Sequence, residues 1–207
     1  MESHNTLSIT DLSYTPPDDN PYKLITRRID STKIRCSHKR DLQVNTCLTE
    51  DLPSFKQNHI RSGAIIYTHD KDTGETYFCL GVDTQSGDLT DFGGGVKKDE
   101  SVVVGGLREL KEESQGIFGH LDPDDIKNTL TFYCYNMAII FIKMRLNRDQ
   151  IQSEFRYKVR TNPAPEVRDI VWLTTDEFLE SIHGRGKKLY IRVRKLLSKV
   201  TNSIRQL

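Results

Sequence analysis

The stretch from Gly94 to Glu113, GGVKKDESVVVGGLRELKEE, decides the reading of this 207-residue chain. Its fixed points are Gly94, Glu100 after five residues, Arg108-Glu109-Leu110 after seven more, and Glu112-Glu113 after one. Helical geometry explains the second half. A helix over Val102 to Ser114 turns by about 100° per residue. Glu109, Glu112 and Glu113 then stand at i, i+3 and i+4 and share one face. Val103, Val104, Leu107 and Leu110 fall on the opposite, apolar face. Three neighbouring carboxylates repel one another and raise each other's pKa. A hard divalent cation removes that cost, because Mg2+ takes oxygen ligands, keeps several waters and bridges to substrate phosphates. The glycines Gly93, Gly94 and Gly95 let the backbone turn sharply and approach a ligand closely.

This spacing resembles the Nudix box, the signature of hydrolases that cut a nucleoside diphosphate linked to another group. The resemblance covers about residues 62 to 183. It implies an α/β (α+β) fold, a Nudix-type α/β/α sandwich around a mixed β-sheet. It implies Mg2+ or Mn2+ held by Glu109, Glu112, Glu113 and the Gly93 carbonyl, with Arg108 orienting Glu109. Gly94, Glu100, Leu110 and Gly116 complete the box as structural positions. In similar proteins a Glu about six residues before a strand Trp faces the metal. Here Glu166 precedes Trp172 by six, which makes it a candidate ligand or base, with Glu109 as the other candidate base.

The chain departs from the pattern in three places. Phe92 stands where the family often has Pro. Gly105 and Gly106 sit mid-helix, each costing about 1 kcal/mol relative to Ala, so close approach of a loop or substrate is expected there. The closing glycine, Gly116, comes one residue late, which shifts the expected helix cap and spares the metal face.

Length points to one domain with extensions. A formal net charge of +1 makes no global demand for a nucleic-acid or membrane partner. The four cysteines, Cys36, Cys47, Cys79 and Cys134, lack CxxC spacing and read as reduced structural thiols, which suits a cytoplasmic chain. No apolar run reaches about 18 residues, so no membrane span is expected. The polar N-terminus lacks a signal-peptide core.

Three segments follow: an N-terminal extension over 1–60, partly mobile; the hydrolase domain over 61–183; and a basic amphipathic helix over 184–207 packed on the domain. Within the domain, Ala64 to Thr68 and Thr76 to Val82 read as a hairpin about the Asp70 to Gly74 turn. Thr129 to Tyr135 and Ala138 to Met144 read as paired strands. Asn147 to Arg160 reads as a helix and Asp169 to Leu173 as a strand. Thr174 to Glu177 is a capping box that opens a helix through Ile182. Leu189, Val193, Leu196, Leu197, Val200 and Ile204 form an apolar stripe at helical spacing.

The substrate is less legible. A Pro that marks ADP-ribose hydrolases and a run that marks NADH hydrolases are both absent. Tyr133 and Tyr135 lie near the spacing of a Tyr in dinucleoside polyphosphate hydrolases, and both also fit as strand residues. From Gly184 to Leu207 there are eight basic residues and no acidic one. Lys187, Lys188, Arg192 and Lys195, with Arg27 and Arg28, are candidates for binding RNA phosphates. Capped RNA is therefore one candidate among nucleoside diphosphate-linked substrates. The alternatives are inositol pyrophosphates, dinucleoside polyphosphates, or a catalytically silent nucleotide- or RNA-binding module.

Overall fold

The computed structural model describes residues 32–36, 39–55 and 59–207. Arg27, Arg28 and the rest of residues 1–31 lie outside the described residues. The elements run β1 (Thr32–Cys36), β2 (Lys39–Leu48), β3 (Arg61–His69), β4 (Thr76–Asp83), β5 (Leu89–Thr90), β6 (Phe92–Gly95), α1 (Val102–Glu113), β7 (Leu130–Cys134) and β8 (Met137–Lys143). They continue with α2 (Arg148–Thr161), β9 (Val167–Thr174), α3 (Thr175–Ile182), α4 (Ile191–Leu197) and α5 (Thr201–Ile204).

The strands form one mixed sheet in the order β1-β2-β7-β8-β3-β4-β5, with β6 pairing to β3 and β9 to β4. Its one parallel pair among these strands joins β3 to β8. Both faces are covered. On β3, Ile65 and Tyr67 point to one layer while Ala64 and Ile66 point to the other. On β8 the same period of two sends Ile139 and Phe141 one way and Ile140 and Ile142 the other. The first layer is closed by Phe178, Leu179 and Ile182 of α3 and by Val193, Leu196, Leu197 and Ile204 of the C-terminal helices. The second is closed by Leu107 and Leu110 of α1 and by Ile151 and Phe155 of α2. This is an α/β/α sandwich. Because both faces are apolar, β3 is buried without interruption from Ser62 to Thr68.

Local sequence explains the helix starts. Ser101, Asn147 and Thr174 cap α1, α2 and α3 by accepting backbone N–H groups, and Thr174 with Glu177 completes the expected capping box. Cys47, Cys79 and Cys134 are free thiols, and burial pushes the Cys47 thiol up to about 12.

Within the 1–60 extension, β2 pairs with β7 and buries Val44 and Leu48 in the core. Two expectations are revised. The single C-terminal helix is two short helices, α4 and α5. Ahead of them, Gly184 turns left-handed at φ 79° and Leu189 bridges to Leu89 of β5. The stripe from Leu189 to Ile204 is nonetheless buried. Finally, Val104, expected on the apolar face, is 41 % exposed.

Candidate active site

The box helix α1 packs against β3 and β6, which lays its carboxylates beside the glycine strand Phe92–Gly95. The contact is made of backbone. A Cβ on Gly94 would stand 2.6 Å from the Glu109 carboxylate. A side chain at Gly94 would therefore displace the Glu109 carboxylate from its present place. The mid-helix glycines have the expected cause. A Cβ on Gly105 would meet Val96 at 3.1 Å, and one on Gly106 would meet Ser62 Oγ at 2.6 Å. Alanine at Gly106 would force Ser62 to move, and at Gly105 it would press on Val96 of the loop before α1.

Arg108 organises the exposed side of the cluster. Its Nε donates to Glu100 Oε1 at 2.7 Å and its Nη2 to Glu100 Oε2 at 3.1 Å and to the Gly95 carbonyl at 2.9 Å. Its Nη1 donates to Glu109 Oε1 at 2.7 Å and to Glu112 Oε2 at 2.9 Å. Glu100 also accepts the Lys97 N–H and so ties the loop to the helix. The Arg108 hydrogen bonds hold the Glu100 carboxyl below its usual range, and the carboxylates in turn push the guanidinium pKa up.

The three helix carboxylates are graded in exposure. The Glu112 side chain is 57 % exposed, Glu109 is 12 % exposed, and Glu113 is buried. Glu113 Oε2 accepts the Gly93 N–H at 2.7 Å. Burial first, and then the charge of Asp91, push its pKa up to about 8, against the Gly93 N–H and Arg61, which pull it down. At neutral pH a large fraction of Glu113 therefore carries a proton.

Two residues that the sequence reading missed complete the floor of the site. Arg61, at the start of β3, donates from Nη1 to Asp91 Oδ2 at 2.6 Å and from Nη2 to the Gly93 carbonyl at 2.8 Å. Burial alone would lower the Arg61 pKa, but Asp91 raises it above its ordinary value. The sequence offered only an acidic residue, Asp91, immediately before the Phe92-Gly93-Gly94 run, and the structure buries it completely.

Glu166 is exposed, at the foot of β9. Its carbonyl accepts the Thr84 N–H at 2.9 Å, and its side chain makes no contact with the helix carboxylates among the described interactions. The end of α1 also differs from expectation. The helix stops at Glu113, and Gln115 is itself left-handed at φ 56°, followed by Gly116 at φ 68°. Gln115 thus adopts the conformation for which the box uses glycine, so the helix end is not displaced. Two hydrogen bonds offset the strain: Gln115 Nε2 donates to the Glu112 carbonyl at 3.1 Å, and Asn162 donates to Gln115 Oε1 at 3.1 Å. The second ties the loop ahead of Glu166 to the box helix. Leu110 is buried beneath the site.

Of the basic candidates, Lys187, Lys188, Arg192 and Lys195 are exposed. Lys188 pairs with Asp88 at 2.9 Å, and the Tyr190 N–H donates to the Leu89 carbonyl at 2.7 Å. The basic segment is thus stitched to β5, two residues from Asp91.

The donor chemistry fits a hard divalent cation. Glu109, Glu112 and Glu113 each have one carboxylate oxygen engaged and one without a hydrogen-bond partner among the described residues. The set is not drawn together as it stands. Among the described residues no three His, Cys, Asp or Glu side chains converge on a metal-sized point, and the Gly93 carbonyl faces Arg61. Glu109 and Glu112 share Arg108, so turning them towards a common ion means loosening its Nη1 contacts while Glu100 and Gly95 keep hold of the guanidinium.

No protein-family model matches this chain, and no curated protein matches it significantly. Among solved structures, the chain is similar to the pyrophosphohydrolase BsRppH of Bacillus subtilis, at 12 % identity and a TM-score of 0.48, over 84 % of this chain and 96 % of that one. It is similar to the Ap4A hydrolase of C. elegans, at 16 % identity and a TM-score of 0.43, over 72 % and 99 %. It is also similar to a MutT/nudix family protein of Enterococcus faecalis, at 12 % identity and a TM-score of 0.36, over 60 % of this chain and 46 % of that one. The chain thus spans less than half the length of the last protein. No helix among the described residues is long and apolar enough to cross a membrane.

Proposed function

We propose that this chain is a divalent-metal-dependent hydrolase of the Nudix type that cuts the diphosphate linkage of a nucleoside diphosphate joined to another group. One observation carries the reading: Glu109, Glu112 and Glu113 share one helix face, with the Glu109 carboxylate against Gly94 and Glu113 hydrogen-bonded to the Gly93 N–H. Glu109, Glu112 and Glu113 would hold Mg2+ or Mn2+, which when bound neutralises phosphate charge and acidifies a water. The residues of the chain do the rest. Arg108 holds one oxygen of Glu109 at 2.7 Å, so Glu109 would serve through its other oxygen either as a ligand or as the base that takes the proton of the attacking water. Glu113, its pKa pushed up to about 8 by burial, would bind a cation only after giving its proton to solvent. Glu166 remains an alternative base, because its loop is tied to the box helix through Asn162 and Gln115.

Capped RNA is one candidate substrate within this class, because Lys187, Lys188, Arg192 and Lys195 are exposed. Dinucleoside polyphosphates and inositol pyrophosphates share the same reacting linkage. A second reading has its own support. Arg108 bridges Glu109 and Glu112, so two of the carboxylates are partly neutralised without metal, which a silent module would also tolerate.

The test is a product-resolved screen of capped RNA, dinucleoside polyphosphates, ADP-ribose, nucleoside triphosphates and inositol pyrophosphates, with EDTA, Mg2+ and Mn2+. The hydrolase reading expects turnover of at least one with either metal and none in EDTA. Binding without turnover under every metal condition selects the silent module.

A further inference from the structure

Gly93 is held from both sides. Its N–H donates to Glu113 Oε2 at 2.7 Å, and its carbonyl accepts from Arg61 Nη2 at 2.8 Å. The peptide planes before and after Gly93 are each fixed by a side chain, Glu113 from α1 and the Arg61 guanidinium from β3. Arg61 is anchored in turn by Asp91, with side chains 12 % and 0 % exposed. The other Asp91 oxygen accepts the Thr90 hydroxyl at 3.1 Å. The ring of Tyr190 lies 5.8 Å from the guanidinium carbon and borders Arg61 from the C-terminal segment. Space for this arrangement comes from two facing glycines. A Cβ on Gly93 would stand 2.5 Å from Gly63 Cα, and a Cβ on Gly63 would collide with the Asp91 carboxylate.

A buried ion pair of this kind is a poor net stabiliser. Desolvating both charges offsets much of their attraction, and apolar side chains of similar volume often serve stability as well. What an apolar pair cannot do is orient a peptide. We propose that Arg61 and Asp91 are positioning residues for the carboxylate site and act through the Gly93 backbone; this rests on the metal-dependent reading above. Arg61 fixes the plane of the Gly93–Gly94 peptide, and Gly94 is the surface against which the Glu109 carboxylate lies. Glu113 is fixed through the preceding peptide. One guanidinium therefore sets where Glu109 and Glu113 stand relative to each other. The planar fork is essential, because a lysine ammonium is a point donor on a flexible stem and cannot hold Asp91 and the Gly93 carbonyl in one plane.

The test compares Arg61→Lys and Asp91→Asn with wild type. It reads Mn2+ affinity by titration, the backbone amide resonances of Gly93 and Gly94, kcat and KM, and the thermal midpoint. The expected result for Arg61→Lys is a folded protein whose Mn2+ affinity falls about 10- to 100-fold, the usual effect of losing a residue that orients metal ligands. Its kcat falls with KM nearly unchanged, and both glycine resonances shift. Asp91→Asn moves the same readouts less far. If Arg61→Lys does not fold, Asp91→Asn carries the test with the same outcomes. A lowered thermal midpoint with wild-type Mn2+ affinity, kcat and glycine resonances would overturn the proposal and leave the pair as packing. Wild-type protein that binds no Mn2+ would instead sink the metal reading. The glycine resonances of Arg61→Lys would then decide the clamp alone: shifted, it stands; unshifted, it falls.

Discussion

Replacing Glu113 by glutamine should stabilise the metal-free protein and disable it as a hydrolase. The group ionises near 4.5 in the unfolded chain and near 8 in the folded one. Between those values the native state keeps a proton that the unfolded state has released. Stability is therefore full below the lower value and falls as pH rises through the window. The displacement is 8 − 4.5 = 3.5 units, and at 1.36 kcal/mol per unit it amounts to about 5 kcal/mol above pH 8. Linkage gives a loss of about 4 kcal/mol between pH 5 and pH 9 for this group alone. Glutamine removes the titration and keeps an oxygen to accept the Gly93 N–H. The assay is urea denaturation of wild type and Glu113→Gln in EDTA at intervals from pH 5 to pH 9. Wild type should lose stability relative to the variant by several kcal/mol across the range, with the steepest change below pH 8. Saturating Mn2+ should reverse the order at high pH, because the cation stabilises the carboxylate and not the amide. A stability difference that stays constant with pH would refute the reasoning. It would mean that Glu113 is not protonated by its surroundings.

Two further predictions concern the glycines and the basic surface. Gly106→Ala should cost about 1–3 kcal/mol by overpacking against Ser62 Oγ, whereas in a Ser62→Ala background it should gain about 1 kcal/mol of helix propensity. Denaturant midpoints of the four proteins give the coupling, and equal effects in both backgrounds would show that the contact is absent. Replacing Lys187, Lys188, Arg192 and Lys195 by alanine should weaken RNA binding and flatten its salt dependence by roughly one unit of log–log slope per lost phosphate contact. Fluorescence anisotropy across salt concentrations measures this, and unchanged affinity and slope would leave these residues as a solvated face.

The parts of the fold that the sequence announced are those governed by local periodicity. The box helix, the hairpin of β3 and β4, the pair β7 and β8, and the cap at Thr174 all follow from spacing of two or 3.6 residues and from side-chain caps. What stayed hidden depends on distant chain segments. β2 becomes a strand of the sheet because β7 offers an edge, and its Leu42, Val44 and Leu48 alternate around the polar Thr46. β6 looks like a flexible glycine loop until Gly63 lies opposite Gly93. The C-terminal stripe was correctly apolar, but helical spacing does not reveal that Leu189 would bridge to Leu89. In the site, the motif placed Glu109, Glu112 and Glu113 together because i, i+3 and i+4 share a face. It did not give their unequal burial, which depends on how α1 lies against β6. Arg61 and Asp91 are separated by thirty residues and belong to no spacing rule, so only the folded chain brings them to Gly93.

The most direct test is turnover of a diphosphate-linked nucleotide in Mg2+ by wild type and Glu112→Gln. The Glu112 side chain is 57 % exposed and its one hydrogen-bonded partner among the described residues is Arg108, so the substitution leaves the core untouched. The account predicts an unchanged circular dichroism spectrum and thermal midpoint, with kcat reduced at least about 10- to 100-fold, the range for losing even a residue that only orients a metal ligand. Wild-type turnover in Glu112→Gln would contradict the assignment of the box carboxylates as the metal site.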